Sequence, residues 1–216
     1  MPRRIEESFN FYSHLAGVVA AVVGVVFLGL VASYSASALV TAMIYGGSVV
    51  FLFAASSLYH ALKREENEWT FWRKMDRVAI FCMIAGTYTP ICYIYLDGPW
   101  RWAMIALQWG LVGFGLFSQL FFPRMPRILY AVIYLAMGWM AIVPIRQMLA
   151  AMTPAQGVLL FAGGVSFTLG GIFYAIKKPR LVPGVFSFHE LFHILVLLGG
   201  GLHYAMIYLG YFQNIS

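Results

Sequence analysis

Two histidines, His189 and His193, stand four residues apart at the start of the last apolar segment of the chain. On a helix, residues at this spacing share a face, with Cβ atoms about 5–6 Å apart, which suits two ligands of one metal ion. Imidazole nitrogen is a good ligand for Zn²⁺, and a catalytic zinc site usually has three protein ligands and one open position. The pair therefore predicts part of a zinc site that needs a ligand from elsewhere in the chain.

Candidates for the missing ligands lie at the ends of two earlier apolar segments, where His60 closes the second and Asp76 opens the third. We predict His60 as the ligand that joins His189 and His193. Asp76 is predicted either as a fourth ligand or as the residue that holds a zinc-bound water, whose pKa falls to about 7. In that second role Asp76 is the general base. Ser56 shares the helix face of His60, so it either hydrogen-bonds the substrate or that water, or makes a polar contact between helices.

Three polar residues precede the first apolar segment at helical spacing. Glu7 and Asn10 are three residues apart, and Asn10 and His14 are four apart, so all three share one helix face. They either form a second layer that orients the zinc ligands, or serve as a helix cap and interfacial anchor. The spacing leaves both interpretations open.

The composition indicates an integral membrane protein. The 216 residues are 62% hydrophobic and 10% charged, whereas a soluble domain carries about 25% charged residues. A transmembrane helix requires about 20 predominantly apolar residues, and we predict one all-α membrane domain, residues 1–216, with seven such helices. Their approximate ranges are 15–33, 38–60, 78–96, 102–122, 128–145, 155–176 and 188–211.

The loop charges predict the orientation of these helices. Of the 14 Lys and Arg residues, all but Arg101 and Arg146 lie in the N-terminus and in every second loop, and such residues concentrate on the cytoplasmic side. The N-terminus is therefore predicted in the cytoplasm and the C-terminus outside, which brings the candidate ligands to the cytoplasmic face. Because the net charge of +6 comes from these short loops, it does not indicate a nucleic-acid partner.

The stretch from His189 to His193 also matches H-E-x-x-H, in which a glutamate, here Glu190, is the general base of a zinc protease. An intramembrane protease of this kind needs a further ligand from a later segment, but the 23 residues after His193 contain no acidic residue. A proton-coupled transporter that uses His203 is another alternative, and the lack of acidic residues inside the spans counts against it. His203 lies about 15 Å beyond His193 along a helix, which is too far for both to bind the same metal ion. We predict that His203 lines a cavity or contacts a neighbouring helix.

Three motifs together resemble one known family. They are E-x-x-N-x-x-x-H at Glu7, Asn10 and His14, S-x-x-x-H with a following Asp at Ser56, His60 and Asp76, and H-x-x-x-H at His189 and His193. With Gly86-Thr87-Tyr88-Thr89-Pro90, they make the chain similar to the progestin and adipoQ receptor family, specifically its bacterial hemolysin III branch. The resemblance extends over almost the whole chain.

The resemblance implies a seven-helix protein with zinc held by His60, His189 and His193, and with Asp76 near a zinc-bound water. It implies a ceramidase-like hydrolase of lipid amides that acts in membrane lipid homeostasis, with ceramide-like lipids or fatty acids as ligands. A bacterial cytoplasmic (inner) membrane is the implied location. The alternative is a non-catalytic sensor or receptor in which zinc is structural. Seven hydrophobic spans do not suit a secreted pore-forming toxin, despite the name of the branch.

Overall fold

The computed structural model describes residues 5–65, 70–122, 124–182 and 184–214. Within these ranges the chain forms helices and no β-strand, so the predicted all-α fold is confirmed. Arg3 and Arg4, which contribute to the predicted orientation, lie outside the described residues. The helices are α1 (Ile5–Ala32), α2 (Ala36–Leu62), α3 (Phe71–Tyr95), α4 (Gly98–Phe121), α5 (Arg127–Trp139), α6 (Ile145–Ala151), α7 (Pro154–Ile176) and α8 (Phe188–Gln213).

Hydroxyl side chains fix the starts of several helices. The Oγ of Ser35 accepts a hydrogen bond from the backbone N–H of Ala38 at the start of α2, at 3.1 Å. Thr70 caps α3 in the same way. At α7, Thr153 and Gln156 form a reciprocal capping box. Each cap satisfies N–H groups that the first helical turn leaves without a partner, which is why the helices begin at these residues.

Six helices of the described chain, α1, α2, α3, α4, α7 and α8, are long and apolar enough to cross a membrane. A seventh crossing exists if α5 and α6, which are bent by 60° relative to each other, form one broken span. Large apolar side chains are exposed along the outside of the helices, as expected for a surface in contact with lipid. The structure is therefore that of a helical membrane protein.

The fifth predicted span, near 128–145, differs from the straight helix that its hydropathy suggests. It ends as an α-helix at Trp139 and continues as a short 3₁₀ turn, after which Pro144 precedes α6. Proline has no N–H and disfavours helical geometry in the residue before it. The hydroxyl of Tyr88 donates to the carbonyl of Gly138 at 2.8 Å and accepts from the N–H of Ala141 at 2.7 Å. These two bonds satisfy backbone groups that the break leaves without helical partners.

The order of the helices brings four helix ends together. Neighbouring helices α1 to α4 pack in sequence, and α8 packs against both α1 and α7. The beginnings of α1, α3 and α8 therefore meet the end of α2 at one end of the bundle, which we call the histidine end. That this end faces the cytoplasm remains a prediction from the loop charges.

Small residues allow α7 and α8 to approach closely. A Cβ atom at Gly163 would overlap the ring of His203 on α8, and one at Gly199 would lie within 2.9 Å of the ring of Phe167 on α7. Both glycines thus contribute to helix packing, which is how small residues are commonly used between membrane helices.

Candidate metal centre

Three histidines converge at the histidine end of the bundle. His60 lies in the last turn of α2, and His189 and His193 lie in the first two turns of α8. One ring nitrogen from each lies within 4.8 Å of the others, and the Nε2 atoms of His60 and His189 are 3.3 Å apart. Two nitrogens bound to one tetrahedral zinc are about 3.4 Å apart, given Zn–N bonds of about 2.1 Å. The geometry therefore fits a metal ion held by three imidazoles.

A carboxylate from α1 orients the first of these rings. Oε2 of Glu7 lies 2.7 Å from Nδ1 of His60, and the other carboxylate oxygen pairs with Lys63. A carboxylate at Nδ1 keeps the proton on that atom, so the lone pair of Nε2 faces the centre. His60 is only 1% exposed, so this contact is formed in a protected environment.

The ring of His193 is held from the same helix. Its Nδ1 lies 3.4 Å from Oγ of Ser13, and the ring also bonds to the backbone of Asn10. With Nδ1 engaged in this way, Nε2 of His193 is the nitrogen available to a metal ion. His14 stacks on His193, with ring centroids 3.8 Å apart. Glu7 and His14 thus contact the converging histidines, and Asn10 contacts Glu190 between two of them. The role of these three residues as a second layer stays a prediction.

Two contacts of this layer were not predicted from the sequence. Ser13 follows Asn10 by three residues on the same face of α1, and Lys63 follows His60 by three residues, directly after the end of α2. A search for polar residues at i+3 from each candidate would have found them. What it could not supply is the proximity of α1 to both α2 and α8.

Asp76 and Ser56 lie beside the three histidines. Asp76, in the first turns of α3, is close enough to His60 for a charge interaction, and the hydroxyl of Ser56 hydrogen-bonds its carboxylate. The carboxylate oxygens of Asp76 are not among the ligand atoms that lie within 4.8 Å of one another. Asp76 thus lies outside this close group of ligand atoms, and its role in holding a zinc-bound water stays a prediction.

Glu190 performs a structural task instead of facing the metal centre. Its Oε2 accepts hydrogen bonds from the backbone N–H and the hydroxyl of Ser187, both at 2.8 Å. Its Oε1 accepts one from the side-chain amide of Asn10 at 2.8 Å. The carboxylate therefore caps α8 and connects it to α1. This contradicts the role of general base that H-E-x-x-H requires, and Ser187-x-x-Glu190 was readable as a capping box in the sequence.

A large cavity begins at the histidine end and continues into the bundle. It measures about 1020 Å³, at the upper limit of the usual 300–1,000 Å³ for ligand pockets. His189, His193, Asp76 and Ser56 line one part of it, and apolar side chains line most of the remainder. His203 also lines the cavity, and its Nε2 lies 3.1 Å from the carbonyl oxygen of Leu160. Both interpretations of His203, cavity lining and interhelical contact, thus apply together.

Comparison with known proteins gives consistent similarities over nearly the whole chain. A family model described as Haemolysin-III related matches residues 3–204. The chain is 33% identical over 204 residues to Hemolysin-3 of Bacillus cereus, across 94% of this chain and 90% of that protein. It is 32% identical over 196 residues to the Hemolysin-3 homolog of Bacillus subtilis, across 90% and 89%. The human monocyte to macrophage differentiation factor is 24% identical over 212 residues, across 96% and 85%.

Proposed function

We propose, from the premise that this chain belongs to the Haemolysin-III related family within the progestin and adipoQ receptors, that it is a zinc-dependent hydrolase of lipid amides. The observation that carries the proposal is the position of three converging histidines at the wall of a deep cavity, with Asp76 beside them. Imidazole ligands suit zinc, and an apolar cavity suits an acyl chain. The physiological role would be membrane lipid homeostasis.

In this proposal the three histidines, Asp76 and Ser56 have different roles in hydrolysis. Zinc bound by His60, His189 and His193 would polarise an amide carbonyl and acidify water. Asp76 accepts the proton of the attacking water and returns it to the amine that leaves, so that one amide and one water give a fatty acid and an amine. Ser56 holds the Asp76 carboxylate in position for both transfers.

The apolar part of the cavity would bind the acyl chain and exclude water from it. Leu52, Met83 and Phe167 are among the lining residues, and each buried methylene contributes about 0.8 kcal/mol to binding. Ceramide-like lipids and fatty acids, as substrate and product, fit this lining. Because the matched Bacillus proteins are bacterial, we propose a bacterial cytoplasmic membrane, with the histidine end facing the cytoplasm.

The test is release of fatty acid from ceramide by purified, zinc-loaded protein in mixed micelles. We expect release by the unaltered protein and a loss of at least about 100-fold in Asp76→Asn, which removes a general base. The zinc content of Asp76→Asn is expected to stay unchanged, because Asp76 lies outside the close group of ligand atoms.

The second candidate function is a sensor with structural zinc, which the contacts to His60 and His193 suit equally well. Such contacts are found at structural and catalytic metal sites alike. Zinc-loaded protein that binds ceramide but releases no fatty acid would support the sensor and contradict the hydrolase.

A further inference from the structure

We propose that the mouth of the cavity contains a binding site for the anionic head group of an amphiphile, formed by Arg127, Lys177 and Arg180 beside Tyr174. These three cations are called the basic mouth below. The inference rests on the proposed function in one respect, that the chain of the same amphiphile occupies the cavity. Within the lipid amides, it adds a preference for acylated amphiphiles with a phosphate or carboxylate head over those with a neutral head.

Arg127 is the central residue of the basic mouth. Its guanidinium lies 5.8 Å from the ring centroid of Tyr174 on α7 and 5.8 Å from that of Phe188 on α8. Among the described residues its side chain makes no ion pair or hydrogen bond with a carboxylate. The ring contacts hold the planar group in place and leave its N–H donors available, which is the arrangement that suits a phosphate or carboxylate.

Lys177 and Arg180 add two further positive charges to the lining of the same cavity. They follow the end of α7, and within the described part of the chain neither forms a salt bridge. Among the described residues, six Lys and Arg side chains line this cavity against four acidic ones. Of the acidic ones, Glu7 pairs with His60 and Lys63, and Glu190 accepts hydrogen bonds from Ser187 and Asn10. The mouth therefore presents an excess of positive charge to a ligand that enters.

The basic mouth is adjacent to the metal centre. The ring of Tyr174, which contacts Arg127 on one side, has its centroid 5.9 Å from that of the metal ligand His189. A head group at Arg127 would thus lie about one aromatic ring away from the histidines. An amphiphile bound in this way would place its charged head at the mouth, its amide at the centre and its chain in the cavity.

Membrane topology alone gives another reason for basic residues at this end of the bundle. That explanation makes no distinction between residues that line the cavity and their neighbours that do not. Arg124 precedes Arg127 by three residues, and Lys178 follows Lys177, yet only Arg127 and Lys177 of these four line the cavity. The two pairs provide matched variants, because the two members of each pair remove one positive charge from the same short stretch of the chain.

The experiment measures the Kd of palmitoyl ceramide and of its 1-phosphate for the purified full-length chain in nanodiscs of neutral lipid. An Asp76→Asn background prevents turnover. We expect the phosphorylated lipid to bind at least about 10-fold more tightly, as one hydrogen bond between charged groups provides. Arg127→Gln should raise the Kd of the phosphorylated lipid about 10-fold, and Lys177→Gln should raise it by a smaller factor. Arg124→Gln and Lys178→Gln should leave both Kd values within about 2-fold.

Equal binding of the two lipids by the Asp76→Asn chain without a further replacement would overturn the inference. A loss of affinity in Arg124→Gln as large as that in Arg127→Gln would also overturn it. Weakening of both lipids alike in Arg127→Gln would show a general structural effect and also contradict it. Inorganic phosphate is the third ligand. If phosphate displaced the phosphorylated lipid when both were present at the same concentration, a site for an amphiphile would be contradicted. The hydrolase test is separate, because it uses neutral ceramide and measures release of fatty acid rather than binding.

Discussion

The contact between Glu7 and His60 gives the most specific prediction about the metal centre. Replacement of Glu7 by alanine removes the carboxylate that lies 2.7 Å from Nδ1 of His60. The ring then loses the partner that fixes its tautomer and orientation. Loss of such a partner typically costs 10–100-fold in metal affinity, or about 1.4–2.8 kcal/mol. We expect a loss of zinc affinity in this range, with Glu7→Gln in between because the amide oxygen still accepts a hydrogen bond.

The assay is competition with a zinc chelator at fixed pH, performed on protein in detergent. Two controls separate the orienting contact from general charge effects. Glu6→Ala removes the neighbouring carboxylate, and Lys63→Gln removes the cation that pairs with Glu7 but keeps the bond to His60. We expect less than about 5-fold change in either, since a partly exposed ion pair contributes about 0–1 kcal/mol. A zinc affinity of Glu7→Ala within 2-fold of the unaltered protein would show that the Glu7 carboxylate does not orient His60 for metal binding.

Three other replacements test separate parts of the structure. Ser56→Ala should lower fatty-acid release about 10-fold at unchanged zinc content, because it removes a hydrogen bond to Asp76. Glu190→Ala leaves Asn10 and Ser187 without their acceptor, and each buried unsatisfied group costs about 1–3 kcal/mol. The thermal midpoint of this variant should therefore fall. If Glu190 acted only as the general base of a protease, its replacement would leave the stability unchanged. Gly163→Ala overlaps the ring of His203 and should destabilise by about 1–3 kcal/mol. Gly164→Ala, with nothing within 4 Å of its new methyl group, should be neutral or stabilising in the same measurement.

The sequence was sufficient to predict the helical membrane fold, because apolar length alone marks most of the spans. It also predicted which histidines converge, since His60, His189 and His193 all lie at segment ends that an alternating topology brings to one face. The break at Pro144 was the exception. Hydropathy averages over the bent region, and the hydrogen bonds from Tyr88 that stabilise the break come from another helix.

The contacts between helices could not be predicted from the spacing of residues along one helix. Glu7, Asn10 and His14 were left with two interpretations because α1 has no sequence signal for its contact with α8. At Glu190 the sequence offered two motifs. H-E-x-x-H suggested a catalytic base, whereas the shorter capping motif from Ser187 to Glu190 describes the hydrogen bonds that Glu190 makes. One residue can match two local motifs, and only the packed structure shows which hydrogen bonds that residue makes.

Metal analysis of the purified chain measures whether the three histidines bind zinc. We predict about one zinc per chain in the unaltered protein and its loss in His60→Ala, in His189→Ala and in His193→Ala. His203→Ala should keep the metal, because His203 bonds to Leu160 deeper in the cavity. Unchanged zinc in any of the first three variants, or a preparation that binds no zinc when zinc is supplied, would contradict a zinc site formed by these histidines.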